Sequence, residues 1–279
     1  MAVSVVTGAT GGIGRWIARG LAQAGHHVIL VGRDPARAQS VQRWIADGVP
    51  SARTETAFAD FSLLSSTRTL GTDLLSRHPN IGLLVNNAGI FDARPVITAE
   101  RQERVLATNL LSPILLSQIL LPALKAGAPS RIISIGSSTA DRARLDPEHL
   151  PLGDQWTMQR AYAQSKLALM MATFAIANRV KGTGLVANVV HPGLVATGLV
   201  KEKGIVGLAW RVLANFALTS EQGAASPLFA ALAPEMSDVT GRYVKNRQIV
   251  KPNPLALDAS AVDRVWEATQ RLIAGACGA

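Results

Sequence analysis

The chain has 279 residues, of which 48% are hydrophobic, and carries 28 Lys and Arg against 19 Asp and Glu for a net charge of +9. That length suits one large α/β domain with a sheet buried on both faces. The single cysteine, Cys277, excludes a disulfide framework or a thiolate metal site, so no metal is expected and a reducing compartment is. The basic residues are scattered and aromatics are only 5%, so nucleic-acid binding is not expected and the charge reads as favouring an anionic cofactor.

In chain order, apolar runs alternate with helical patterns. A strand near residues 2–7 leaves no room for a signal peptide, and a cytoplasmic protein is expected. A helix near 12–25 precedes a strand, His27–Val31, which ends at Gly32-Arg33-Asp34-Pro35. Pro35 suits the first turn of a helix to about Ala46. Ala52–Phe58 is the third strand, followed by Asp60, Phe61 and a helix capped near Ser62. Ile81–Val85 is the fourth and runs into Asn86-Asn87-Ala88-Gly89. Two helices, about 98–108 and 110–126, lead to a fifth strand, Arg131–Ile135. Leu110–Leu124 is the most apolar segment, but it is shorter than the roughly 18 residues of a membrane span. It also carries Pro113 and Pro122, so a buried helix and no membrane span are expected.

A polar loop, Ser137–Thr157, comes before a long helix, about Met158–Val180, and a sixth strand, Leu185–Val190, ending in His191-Pro192-Gly193. Over 199–218 the apolar residues Ile205, Leu208, Val212, Leu213 and Phe216 recur at helical spacing among glycines, which predicts a substrate lid. A helix from Thr219 or Ser220 to Ala233, a short strand near Gly241–Val244 and a helix from Asp258 close the chain. This alternation predicts a Rossmann-type, doubly wound parallel sheet with helices on both faces, as a single domain over 1–279.

The stretch Thr7-Gly8-Ala9-Thr10-Gly11-Gly12-Ile13-Gly14 stands between the first strand and first helix, where a nucleotide pyrophosphate binds. Gly8 permits the sharp turn, Gly12 a close approach of backbone to phosphate, and Gly14 close packing of the helix. An acid at the end of strand two would hold the ribose hydroxyls of NAD. Here Gly32 stands there and Arg33 follows, offering a planar fork for the 2′-phosphate of NADP. NADP is therefore the expected cofactor and NAD the less favoured one, although Asp34 could pair with Arg33. Tyr162 and Lys166 are four residues apart on one helix and share a face. A nearby ammonium lowers the phenol's pKa from about 10 and makes Tyr162 a usable acid or base. Ser137, at the carboxyl edge of the sheet, can donate to an oxygen gaining charge, and so could the adjacent Ser138.

In order along the chain, Thr7-Gly8 with Gly12 and Gly14, Asp60, Asn86-Asn87-Ala88-Gly89, Asn109, Ser137, Tyr162 with Lys166, and Pro192-Gly193 with Thr197 resemble the short-chain dehydrogenase/reductase family. The long interval from Ser137 to Tyr162, with Leu145-Asp146-Pro147-Glu148, resembles its retinol dehydrogenase-like branch. The resemblance selects Ser137 over Ser138 and implies a catalytic set of Asn109, Ser137, Tyr162 and Lys166, Asn109 holding a water that relays protons from the lysine. It implies cofactor contacts from Gly8, Thr10, Gly12, Ile13, Gly14 and Arg33, from Asp60 and Phe61 at the adenine, and from Asn87, Ala88 and Gly89. Tyr162, Lys166, Pro192, Gly193, Val195 and Thr197 complete that set. His191 is expected to make a structural hydrogen bond.

The activity so implied is hydride transfer between a nicotinamide and a lipophilic carbonyl/alcohol pair. Reduction of a carbon–carbon double bond, as in protochlorophyllide reductases, and a non-catalytic NADP-binding sensor are the alternatives. The family also implies a homodimer or homotetramer formed through helices near 98–126 and 158–180.

Overall fold

The computed structural model describes residues 1–195 and 218–277. Thr197 and the expected lid, apart from Leu218, lie outside the described residues. Short runs, most of them rich in Val, Ile and Leu, form β1 (Val3–Thr7), β2 (His27–Gly32), β3 (Arg53–Phe58), β4 (Leu83–Asn86), β5 (Ser130–Ile135), β6 (Leu185–His191), β7 (Tyr243–Lys245) and β8 (Gln248–Val250). They build one sheet in the order β3-β2-β1-β4-β5-β6-β7-β8. Pairing is parallel from β3 across to β7, and only β7 with β8 is antiparallel.

The helices are α1 (Gly12–Gln23), α2 (Pro35–Gly48), α3 (Leu64–Arg77), α4 (Arg104–Ala126), α5 (Met158–Arg179), α6 (Ser220–Leu232) and α7 (Ala259–Cys277). Alternation along each strand sends side chains to two cores. Val5, Ile29, Val31, Leu84 and Ile132 pack with α3, α4, α5 and α7, while Val6, Val28, Leu30, Val85 and Ile133 pack with α1, α2 and α6. The strand order reverses between β1 and β4, so a crevice opens at their carboxyl ends, the usual ligand position in such sheets.

The expected fold class is the one found, and the differences are local. The two helices expected over 98–126 are one, Arg104–Ala126, with a π turn at Ala107–Leu111. Pro113 has no N–H and would crowd the carbonyl of residue 109 in a regular helix; the wider turn just before it removes that conflict. The merged helix has 23 residues and a mean hydropathy of 1.6 in its most apolar window, long and apolar enough to cross a membrane by length and composition. Burial of 78% of that window inside the protein bears out the expected core helix, although the run is longer than expected.

A further strand, β8, follows a turn in which Asn246 and Arg247 both have positive φ, 51° and 60°. With no glycine at the turn, the usual sequence sign of a tight hairpin is missing. The start of α3 differs too. Ser62 does not cap it; its hydroxyl donates to Asp60 instead. The cap comes from Glu100, whose carboxylate accepts from Leu64 N at 2.5 Å and Ser65 N at 3.0 Å. Such a cap is worth about 0.5–2 kcal/mol. Glu100→Ala should therefore lower the unfolding free energy by about 1 kcal/mol in urea titrations, and an unchanged midpoint would show that α3 does not depend on it.

Candidate active site

The glycine turn is built as its sequence requires. Gly8 and Gly12 take φ of 64° and 50°, in the left-handed region that disfavours side chains. A Cβ at Gly14 would overlap the Gly8 carbonyl and lie 2.5 Å from Asn87 Nδ2. Asn87 N and Ala88 N both donate to Thr7 Oγ1 at 2.9 Å, and Asn87 Nδ2 donates to Thr7 O at 2.8 Å and Gly8 O at 3.2 Å. The ends of β1 and β4 are thus stitched together. No side chain caps α1, so the N–H groups of its first turn can serve an anion.

At the end of β2, a Cβ at Gly32 would overlap the Thr10 methyl, so any side chain there would require Thr10 to shift. Asp34 does not pair with Arg33. It caps α2, accepting from Ala36 N at 2.9 Å and Arg37 N at 3.2 Å. Arg33 is exposed and forms no ion pair among the described residues. Sequence reasoning missed Arg37, whose Nη2 lies 3.6 Å from where a side chain at Gly11 would begin. Its spacing of four residues from Arg33 was the available signal.

Several expected contacts can be made only by main chain. The side chains of Ile13, Phe61 and Val195 are packed in the cores, and the Phe61 carbonyl accepts from Ser112 Oγ at 2.8 Å. Asp60 is oriented by Ser62, whose N and Oγ donate to its Oδ1 at 2.9 and 2.8 Å.

Tyr162 and Lys166 sit one turn apart on α5, with Lys166 Nζ 5.8 Å from the phenol ring centroid. Lys166 is 4% exposed and donates to Ile135 O at 2.8 Å. Burial disfavours its charged form and brings its pKa down to about 8. The expected lowering of the Tyr162 pKa is not found. Burial pushes it above the ordinary value of 10, and a hydrogen bond with Ser137 opposes this only in part. Desolvation of the phenolate dominates, and Lys166, itself desolvated, is turned towards Ile135.

Ser137 Oγ also accepts from Thr139 N at 3.3 Å and Thr139 Oγ1 at 3.0 Å, while Ser138 is exposed on the following turn. Of the two serines, Ser137 is the one facing Tyr162. Asn109 lies in the π turn of α4, and its amide is engaged at both ends. Oδ1 accepts from Ile90 N at 2.9 Å, and Nδ2 donates to Ile90 O and Ser165 Oγ, both at 3.0 Å. Its amide fixes the chain after Gly89. A Cβ at Gly89 would stand 3.3 Å from Lys166 Nζ and 3.4 Å from Asn109 Oδ1, so glycine here makes room for both.

Phe91, which sequence reasoning missed, meets Tyr162 edge-on with centroids 5.0 Å apart. The Arg104–Asp92 ion pair, at 2.8 Å, anchors the chain beside it. Pro192 is buried and Gly193 turns the chain at φ 93°. His191 lacks its expected hydrogen bond: Nδ1 is buried without a partner. Burial and then Lys245 lower its pKa to about 4, against Asp141, so the ring is neutral near pH 7.

A glycine cradle at the switch point, opening onto a serine–tyrosine pair and a buried lysine, defines a Rossmann-type nucleotide-dependent oxidoreductase site. The family model for short chain dehydrogenase matches residues 2–205. Polyprenol dehydrogenase of Mus musculus is 35% identical over 97% of this chain and 83% of its own. Retinol dehydrogenase 12 of Bos taurus is 31% identical over 97% and 86%. Among solved structures, a short chain dehydrogenase from Burkholderia cenocepacia J2315 in complex with NADP has a TM-score of 0.71 at 28% identity, over 88% of this chain and 95% of that one. The chain belongs to the short-chain dehydrogenase/reductase family, in its retinol dehydrogenase-like branch, and is an oxidoreductase acting on CH–OH/C=O groups.

The buried amine makes a stability prediction. Because the folded pKa of Lys166 is below its ordinary 10.5, the unfolded chain binds more protons between about pH 8 and 10.5, and stability should rise with pH there. Lys166→Met removes the titration. Across that window the wild type should gain about 1–3 kcal/mol relative to the variant in denaturant titrations. A difference that stays flat with pH would show that the amine is not desolvated.

Proposed function

We propose that the protein is an NADP-dependent oxidoreductase of lipophilic ketones or aldehydes and their alcohols, with Tyr162 as proton donor or acceptor. The observation that carries this reading is the pairing of the Ser137 and Tyr162 hydroxyls beside the buried Lys166. Two hydroxyls meeting at one place suit one carbonyl oxygen better than a carbon–carbon double bond, and the intact set argues against a non-catalytic sensor.

A bound nicotinamide supplies or takes up the hydride. In reduction, Ser137 Oγ–H and Tyr162 O–H donate to the carbonyl oxygen, and the Tyr162 proton passes to it as negative charge develops. Burial keeps Tyr162 protonated in the resting protein, which is the form needed for that step. The phenolate left behind is favoured by the Lys166 ammonium on the same helix face. Asn109 and Gly89 hold the chain that passes between cradle and lysine.

The preference for NADP is supported by the absence of an acid at Gly32, by Arg33 at the end of β2 and by Arg37 over Gly11. A 2′-phosphate needs such cations, and a charge-assisted bond of this kind is worth about 1.5–3 kcal/mol. The lipophilic reading is supported by an apolar rim. Phe91 lies edge-on to Tyr162, and Leu194 and Leu218, 47% and 36% exposed, flank Gly193. Two relatives are named for retinol and polyprenol, both lipophilic alcohols.

Turnover of NADPH with a panel of ketones, aldehydes and enones tests the reading. Tyr162→Phe should lower turnover by roughly 10²- to 10⁴-fold while leaving NADPH affinity nearly unchanged. Near-normal turnover in the folded variant, or activity confined to enones, would contradict it. In a second experiment, Arg33→Ala and Arg37→Ala should each weaken NADPH binding by roughly 10- to 150-fold and barely affect NADH. Equal losses for the two cofactors would remove these arginines from a role at the 2′-phosphate.

A further inference from the structure

The turn that carries Ser137 into place is held by residues far along the chain and beyond the segment that the family model matches. Ser137 begins a short 3₁₀ turn, Ser138–Arg142. Three of the carbonyls in and just after that turn converge on one amide. Asn253 Nδ2 donates to Ala140 O at 2.9 Å and Ala143 O at 3.0 Å, with Asp141 O at 3.4 Å. Asn253 is 5% exposed, and its Oδ1 accepts from Leu255 N at 3.0 Å, so both ends of the amide are engaged. A second tie reaches the same turn from β7. Tyr243, also buried, donates its hydroxyl to Asp141 Oδ1 at 3.0 Å, and Lys245 Nζ lies 3.5 Å from Asp141 Oδ2.

On the other side of Ser137 the chain is held by the sheet, with Gly136 N donating to Val190 O at 2.8 Å, and by close packing. A Cβ at Gly136 would come within 2.7 Å of Val189 Cγ1 and 3.9 Å of the Tyr243 ring. Apart from Tyr162, the only side-chain partner of Ser137 among the described residues is Thr139, which belongs to the same turn.

We propose that Asn253 is a positioning residue of the proton-transfer site: through the 138–142 turn it holds Ser137 in register with Tyr162, with Tyr243 and Asp141 as a second tie. The inference rests on the roles given to Ser137 and Tyr162 above. The amide is the side chain this place requires. Two N–H bonds must point at carbonyls while an oxygen faces an N–H, which a carboxylate of the same shape cannot do, because it has no donor and would face carbonyl oxygens. A positioning group a fraction of an ångström out of place can lower turnover by up to about 10²-fold.

The test uses Asn253→Asp, Tyr243→Phe and Ser137→Ala, each alone, and Asn253→Asp combined with Ser137→Ala. NADPH affinity serves as the control for folding and for the cradle, which lies across the site. Asn253→Asp is expected to lower kcat by roughly 10- to 100-fold with NADPH affinity unchanged. Tyr243→Phe, which removes a single hydroxyl, should lower it less and supplies the test if the aspartate variant does not fold. In the Ser137→Ala background the Asn253 change should add almost nothing, since the group it positions is gone. Full kcat in both Asn253→Asp and Tyr243→Phe, or a loss that multiplies with that of Ser137→Ala, would overturn the proposal. A Ser137→Ala variant with normal kcat would instead refute the role of Ser137 itself, so the two failures are distinguishable.

Discussion

One hydroxyl joins the two halves of the site. Thr7 Oγ1 accepts from the main-chain N–H groups of Asn87 and Ala88, and so fixes the end of β1 against the end of β4 where the strand order reverses. From this seam the Asn87 amide reaches back to the carbonyls of Thr7 and Gly8 and sets the glycine cradle. Forward from it, Gly89 leaves space for Lys166 and Asn109, and Asn109 ties down Ile90. Phe91 then meets Tyr162. A buried network with every bond made specifies one arrangement, whereas an unmade bond in it would carry a desolvation penalty of about 1–3 kcal/mol. The phosphate end and the proton-transfer end are therefore parts of one continuous stretch of chain.

Burial sets the chemistry of that second end. It moves both ionisable groups towards their neutral forms, Lys166 downwards and Tyr162 upwards. Burial can shift a pKa by up to about 3–5 units, and at Tyr162 it outweighs the opposing hydrogen bond from Ser137. The resting site thus holds a neutral phenol beside a desolvated amine. In that account, charge separates only when a substrate oxygen is present to receive the proton.

Much of this was legible in the residues, because the strongest signals are local. The glycine turn, the Tyr162–Lys166 spacing and the alternation of strand and helix all rest on neighbours within a few positions, and they place the cradle and α5 correctly. What was hidden depends on contacts over long separations. Glu100 caps a helix 36 residues before it; Asn253 holds a turn 113 residues before it. The tie between the Asn109 amide and Ile90 likewise joins residues 19 apart. β8 escaped because its turn uses Asn246 and Arg247 where glycine is usual, and the continuity of α4 because Pro113 reads as a break until the π turn accommodates it. The sign of the Tyr162 shift was misjudged for a related reason: spacing reveals the lysine, but only the fold reveals how dry both groups are.

The central claim is that burial keeps Tyr162 protonated in the resting protein despite Lys166. The chain has only two tyrosines, so subtracting the ultraviolet pH titration of Tyr162→Phe from that of the wild type isolates this one phenol. The account predicts no Tyr162 phenolate signal up to pH 10, with ionisation, if reached before unfolding, only above that value. Half-ionisation well below pH 10 in the ligand-free protein would contradict it and return control of the phenol to the lysine.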